Sequence, residues 1–231
     1  DQTYPTGRDM FVFAQTNETN VTTANYLKNA RFGYSQSETA DADNQVSGST
    51  KNLWAGDPDP YYWPNKKKLY FAGISEAGNV NAATNGVIPT YADGIITIDG
   101  YVSNPGTATL GDNDLMWFHK TPEAYGKGTK YVPVTMKHAC SWLTVKLVGD
   151  GYTAGKYTVK NIHIEGLTNK GTATLGETAS WVLSGEATDQ NKEFTVFSGS
   201  EALPSIATAE GFEDVVNNTI VLPNQVPGTL S

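Results

Sequence analysis

At 231 residues, with 39% hydrophobic and only 17% charged side chains, the chain is long enough for one large domain or for two of about 100 residues, each with its own core. The polar remainder is dominated by Thr, Gly, Asn and Ser, which favours strands and turns and excludes a helical bundle built on Leu, Glu and Lys. A formal net charge of −8 leaves no electrostatic footprint for a phosphate backbone, so nucleic acid is excluded as a partner.

The chain opens on Asp1 rather than an initiator Met, with neither a signal peptide nor a long apolar run, and it reads as a processed or trimmed product; if it is exported, its address has already been removed. Residues 10–15 form the first strand signal. Residues 16–59 are polar and weakly periodic, with Tyr26, Leu27, Phe32, Tyr34, Leu53 and Trp54 as apolar anchors, and read as strands joined by large loops. Lys66, Lys67 and Lys68 precede a strand signal at 69–74, a position where exposed lysines commonly protect a sheet edge. Further signals follow at 94–102, 131–148, 157–166, 171–175, 194–197 and 219–222. None alternates with an amphipathic helix, which argues against a parallel α/β sheet and for an all-β chain of two small sandwiches. The one helical candidate, 207–216, is short enough to be a loop decoration. Residues 121–130, with Pro122, Gly126 and Gly128, punctuate two strand-rich halves, placing the boundary near Thr129 and the domains at 1–128 and 129–231.

The hexapeptide Gly-Thr-Ala-Thr-Leu-Gly occurs at 106–111 and again at 171–176, once in each half. It fits two related hairpin-rich domains, and equally a coincidence of composition. From 131 to 231 about five strand signals appear, whereas a sandwich of this kind usually has about seven. The C-terminal domain is therefore expected to be incomplete, with 219–222 beside an edge that is unpaired or paired in trans.

Candidates for chemistry are few. The single cysteine, Cys140, excludes an intrachain disulfide. His119, His138 and His163 stand far apart and outside any metal-binding pattern. His138 and Cys140 would share a strand face, but same-face neighbours lie about 6–7 Å apart along a strand, too far for a base to touch a thiol, and they read as buried strand residues. Asp41, Asp43 and Gln45 begin like a calcium loop, but Val46 stands where its Gly belongs and Asn52 where its Glu belongs. Asp57, Asp59, Asp112, Asn113 and Asp114 are turn-capping types before they are metal ligands. No nucleophile elbow, phosphate loop or dinucleotide fingerprint is present, and no pair among the 24 acidic residues can be matched as facing carboxylates. Neither a catalytic residue nor a cofactor is assigned. Tyr61, Tyr62 and Trp63 fit either a sugar-stacking platform or the core aromatics of a sandwich.

Tyr61-Tyr62-Trp63-Pro64 followed by Lys68-Leu69-Tyr70-Phe71-Ala72 resembles the fimbrillin family of Bacteroidetes surface pilins, which carries a similar Tyr-Trp-Pro turn before an aromatic strand. Asp114-Leu115-Met116 resembles the family's next strand. Residues 132–147, running through Lys137-His138-Ala139-Cys140-Ser141-Trp142-Leu143, resemble its aromatic-Lys-His-Ala-x-Ser-x-Leu-x-Val strand, with Met136 where an aromatic is usual and Cys140 where Leu is usual. Residues 159–167, 171–175, Trp181 and 221–225 continue the family's order, so the resemblance covers about 61–225.

The resemblance implies transthyretin-like (Greek-key) topology in both sandwich domains, export as a lipoprotein whose leader is removed, and trimming by an Arg- or Lys-specific protease. It also implies polymerisation by strand exchange with other pilin subunits at the cell surface. Arg8 is the trimming site by this analogy, beside the plainer reading of a surface arginine. Host or bacterial surface ligands are the further partners expected. The alternative is a monomeric surface adhesin or glycan-binding module using Tyr61, Tyr62 and Trp63.

Overall fold

A computed structural model describes residues 8–35, 53–56, 61–64, 67–103, 113–121, 124–125, 132–143, 158–186, 188–189, 192–202, 219–223 and 229–230. Among them every regular element is a strand, and the strands pair antiparallel. The protein is all-β. The helical candidate at 207–216, the acidic positions 41–45, 57–59 and 112, the first hexapeptide copy and the boundary at Thr129 all lie outside the described residues. Contacts group the chain into two compact units, Asp1–Ile98 with Leu115–Ala139 and Thr174–Ser180, and Asp99–Asp114 with Cys140–Ala173 and Trp181–Ser231.

The first unit is organised by β1 (Met10–Thr16), whose seven residues are all buried. A strand apolar on both faces can only be interior. It is flanked by β2 (Leu27–Ser35) and β4 (Lys68–Ser75), with Met10 opposite Phe32 and Phe11 opposite Ile74. The sheet continues outward through β3 (Leu53–Gly56) on one side, and on the other through β7 (Met116–Phe118), β8 (Ala124–Tyr125) and β9 (Lys137–His138). Gly73 is required where β4 meets β7, because a Cβ there would run into the Phe118 ring. On one face Met10, Val12 and Ala14 pack with Leu27, Ala30 and Phe118. On the other, Phe13 stacks on Tyr91 at 5.4 Å, and the Tyr91 hydroxyl donates to Gln15 Oε1.

Tyr91 belongs to β5 (Thr90–Ala92), which forms a hairpin with β6 (Ile95–Val102). Asp93 and Gly94 make its two-residue turn, both with positive φ, the conformation this hairpin loop demands. A four-stranded sheet runs from β5 through β6 to β12 (Lys170–Leu175) and β13 (Ala179–Leu183). Gly171, Ala173 and Leu175 of the second hexapeptide copy are buried, while its threonines alternate outward. In the second unit, β11 (Thr158–Leu167) pairs with β14 (Lys192–Ala202) on one side and with β16 (Thr229–Leu230) on the other. A separate pair joins β10 (Ser141–Leu143) to β15 (Thr219–Val221). Tyr101, fully buried, meets Trp181 edge-on at 5.4 Å and donates from its hydroxyl to the Asn113 carbonyl.

Two expectations are corrected here. The single strand expected over 131–148 is instead two short strands, β9 and β10, within the described residues. Residues 132–136 alternate in burial as a strand would but belong to no strand, because Val134 and Met136 are held by side-chain packing alone. Lys68 starts an interior strand, paired with β1 beyond it and with Tyr125 of β8, so it protects no edge. Its neighbour Lys67 instead pairs with Glu18 at 2.8 Å, and that bond, with a second from Thr16, holds the Glu18 carboxyl below its usual range.

Candidate functional site

Tyr61, Tyr62 and Trp63 lie in a stretch that belongs to no strand. Tyr61 stacks on Phe32 with ring centres 5.3 Å apart, and Trp63 meets Phe71 edge-on at 5.7 Å. Phe32 and Phe71 themselves pack against the Met10–Val12–Ala14 cluster, so this segment is part of the cover over that face. Tyr62 is 78% exposed, against 45% for Tyr61. Two of the three rings thus meet side chains of the sheet, and the third is the most exposed.

At the N-terminus, Arg8 is half-buried and Asp9 is held from three directions. Its carbonyl accepts the Glu76 N–H at 2.9 Å, its carboxylate pairs with the Arg31 guanidinium, and the same carboxylate accepts the Tyr34 N–H at 3.3 Å. No signal in the sequence joins Asp9 to Arg31. Only the register of β1 against β2 brings them together.

The second unit offers an edge. β11 is ten residues long and laddered by β14 from Thr158 to Leu167, while β16 meets it only at Ile164 and Glu165. No other described strand pairs with that flank of β11.

The remaining sequence candidates do not converge. His138 is exposed on β9, and Cys140 is half-buried at a bend, its Sγ 3.7 Å from the Asn113 carbonyl. The buried-strand reading of this pair is thus corrected: the strand breaks between the two residues. His119 bonds the Gly94 carbonyl through Nδ1 at 3.1 Å. Among the described residues no three His, Cys, Asp or Glu side chains gather as a metal site.

A family model described as fimbrillin-like matches residues 2–229. The chain belongs to the fimbrillin-like family. The solved structure of a protein assigned to cell adhesion from Bacteroides uniformis resembles this fimbrillin-like chain with a TM-score of 0.56 at 16% identity, covering 96% of this chain and 70% of that one. A fimbrial protein from Bacteroides vulgatus aligns with a TM-score of 0.48 at 15% identity over 95% of this chain and 71% of that one. No curated protein matches the sequence. The all-β fold expected from composition and resemblance is thus the fold of a known neighbour, and membership makes the chain a fimbrial, cell-surface structural protein rather than an enzyme.

Proposed function

We propose that this fimbrillin-like protein is a subunit of a bacterial surface fimbria and joins its neighbours by strand exchange. The observation that carries the reading is the flank of β11, where, among the described residues, β16 pairs only with Ile164 and Glu165. A row of backbone groups in that position needs water or an added strand, and an extended segment running antiparallel, in line with β16, supplies one. Alternating apolar side chains on a donated strand, about five at roughly 1.5–3 kcal/mol each, give on the order of 10 kcal/mol before ordering costs. Two transthyretin-like sandwich domains, 1–128 and 129–231, the second completed in trans, are the arrangement this mechanism uses. Export as a lipoprotein with its leader removed and trimming at Arg8 complete the scheme, with other subunits as partners and host or bacterial surface ligands beyond them. Light scattering and electron microscopy against protein concentration test it. Filaments or ladders of oligomers are expected, and a monomer at every concentration, with or without Arg-specific trimming, would overturn it.

The exposed Tyr62 favours a second reading, a monomeric glycan-binding adhesin using Tyr61, Tyr62 and Trp63. An aromatic ring bare to solvent is a ready stacking surface for a sugar. A glycan array separates the two: retention lost in Tyr62→Ala supports this adhesin, and no retention at all removes it.

A further inference from the structure

The chain contains two arginines, Arg8 and Arg31, and one carboxylate bears on both. Asp9 follows Arg8 directly, and its side chain, only 14% exposed, holds the guanidinium of Arg31. We propose that Asp9 is a proteolytic gate, so that an Arg-specific protease cuts the Arg8–Asp9 bond only while the start of β1 is out of its sheet.

A protease must draw the residues flanking the bond into its cleft as an extended, unpaired strand, so cleavage of folded protein proceeds through local opening. On the C-terminal side of Arg8 those residues are already committed. The Asp9 carbonyl takes the Glu76 N–H, its carboxylate takes Arg31 and the Tyr34 N–H, and Met10, Phe11 and Val12 are laddered to both β2 and β4. Charge-assisted bonds to a largely buried carboxylate are the strongest of these ties, and they sit at the very end of the strand, where fraying would otherwise begin. The other arginine bond, Arg31–Phe32, lies inside β2 between β1 and β3 and needs a larger opening. Cleavage adds one water across the Arg8–Asp9 peptide, leaving a carboxylate on Arg8 and an ammonium on Asp9. A mature N-terminus at Asp9 is therefore the mark of a chain cut before β1 seated, or while it was released. The biological use of the gate rests on the trimming reading at Arg8; the gate itself does not.

The test digests the folded full chain with an Arg-specific protease and follows loss of residues 1–8 and scission after Arg31 separately by intact mass. Asp9→Asn is expected to speed the Arg8 cut by about ten- to a hundredfold while leaving the Arg31 cut unchanged. Arg31→Lys, altering a side chain that is 56% exposed, weakens the same clamp without opening the core and is expected to speed the Arg8 cut several-fold. It carries the test if Asp9→Asn does not fold. Wild type cut at Arg8 as fast as the variants overturns the gate, and so does equal acceleration at both arginines in Asp9→Asn, which signals global unfolding. The N-terminus of the native surface product separately tests trimming at Arg8, whichever way the digestion falls.

Discussion

β1 and β11 are both long strands, but β1 is laddered along both edges and buried on both faces, whereas β11 is laddered by β14 along one edge, meets β16 among the described strands only at Ile164 and Glu165 along the other, and alternates between buried and exposed residues. A backbone group inside a double ladder has its partner within the fold; one on an open flank finds it in water or another chain. Stability should therefore be concentrated around β1, and the capacity to assemble around β11.

Cutting the core beside each strand sharpens that contrast most. Ile74, fully buried opposite Phe11, should cost about 2–5 kcal/mol in urea unfolding when replaced by Ala, near the top of that range. Ile164, buried on β11 at the end of its doubly paired part, should lie near the bottom, at about 2 kcal/mol. The reverse order would mean that β11 is the better closed of the two.

Next in size is Trp63→Ala. A fully buried Trp costs about 3–5 kcal/mol to truncate, and Trp63 is only half-buried against Phe71, so about 2 kcal/mol is expected, with surface binding unchanged. Unchanged stability with lost glycan retention would instead make this ring part of a ligand platform.

These residues also mark how far the sequence could be read. Continuous or alternating apolar runs announced β1, β4, β6, β11 and β12, because burial imposes its period on a strand directly. β2 was hidden: Asn29 sits within it at φ 51° and the register against β1 shifts between Val12 and Ala14, so its alternation is broken where it could have been read. Residues 132–136 misled in the opposite sense, since alternation records which side chains are buried and says nothing of backbone pairing. At the aromatic site the cluster was visible, but the splitting of Tyr62 from Tyr61 and Trp63 depended on which face met Phe32 and Phe71. The Asp9–Arg31 pair spans two strands and left no local trace.

Smaller effects probe the first unit alone. Burial, only partly offset by a hydrogen bond from the Gly94 backbone, pushes the Tyr91 phenol from 10.0 up to about 12. Because the folded value lies above the unfolded one, its contribution is complete below pH 10 and is lost as pH climbs towards about 12. Tyr91→Phe should cost about 0.5–1.5 kcal/mol at pH 8 and show a shallower fall in urea midpoint between pH 10 and 12 than wild type. A parallel fall in both proteins would detach the phenol from that loss. Smallest of all, Tyr62→Ala should leave stability within about 0.5 kcal/mol, and a larger loss would place that ring in the fold rather than at its surface.

Hydrogen exchange read residue by residue in dilute monomer and in assembled material tests the division of labour directly. In the monomer the amides of Met10–Thr16 should exchange only through global unfolding, while the amides on the open flank of 158–162 exchange far faster. On assembly that flank should become protected while β1 stays as it was. Full protection of 158–162 already in the monomer, or assembly that leaves those amides exchanging freely, would contradict strand addition at β11.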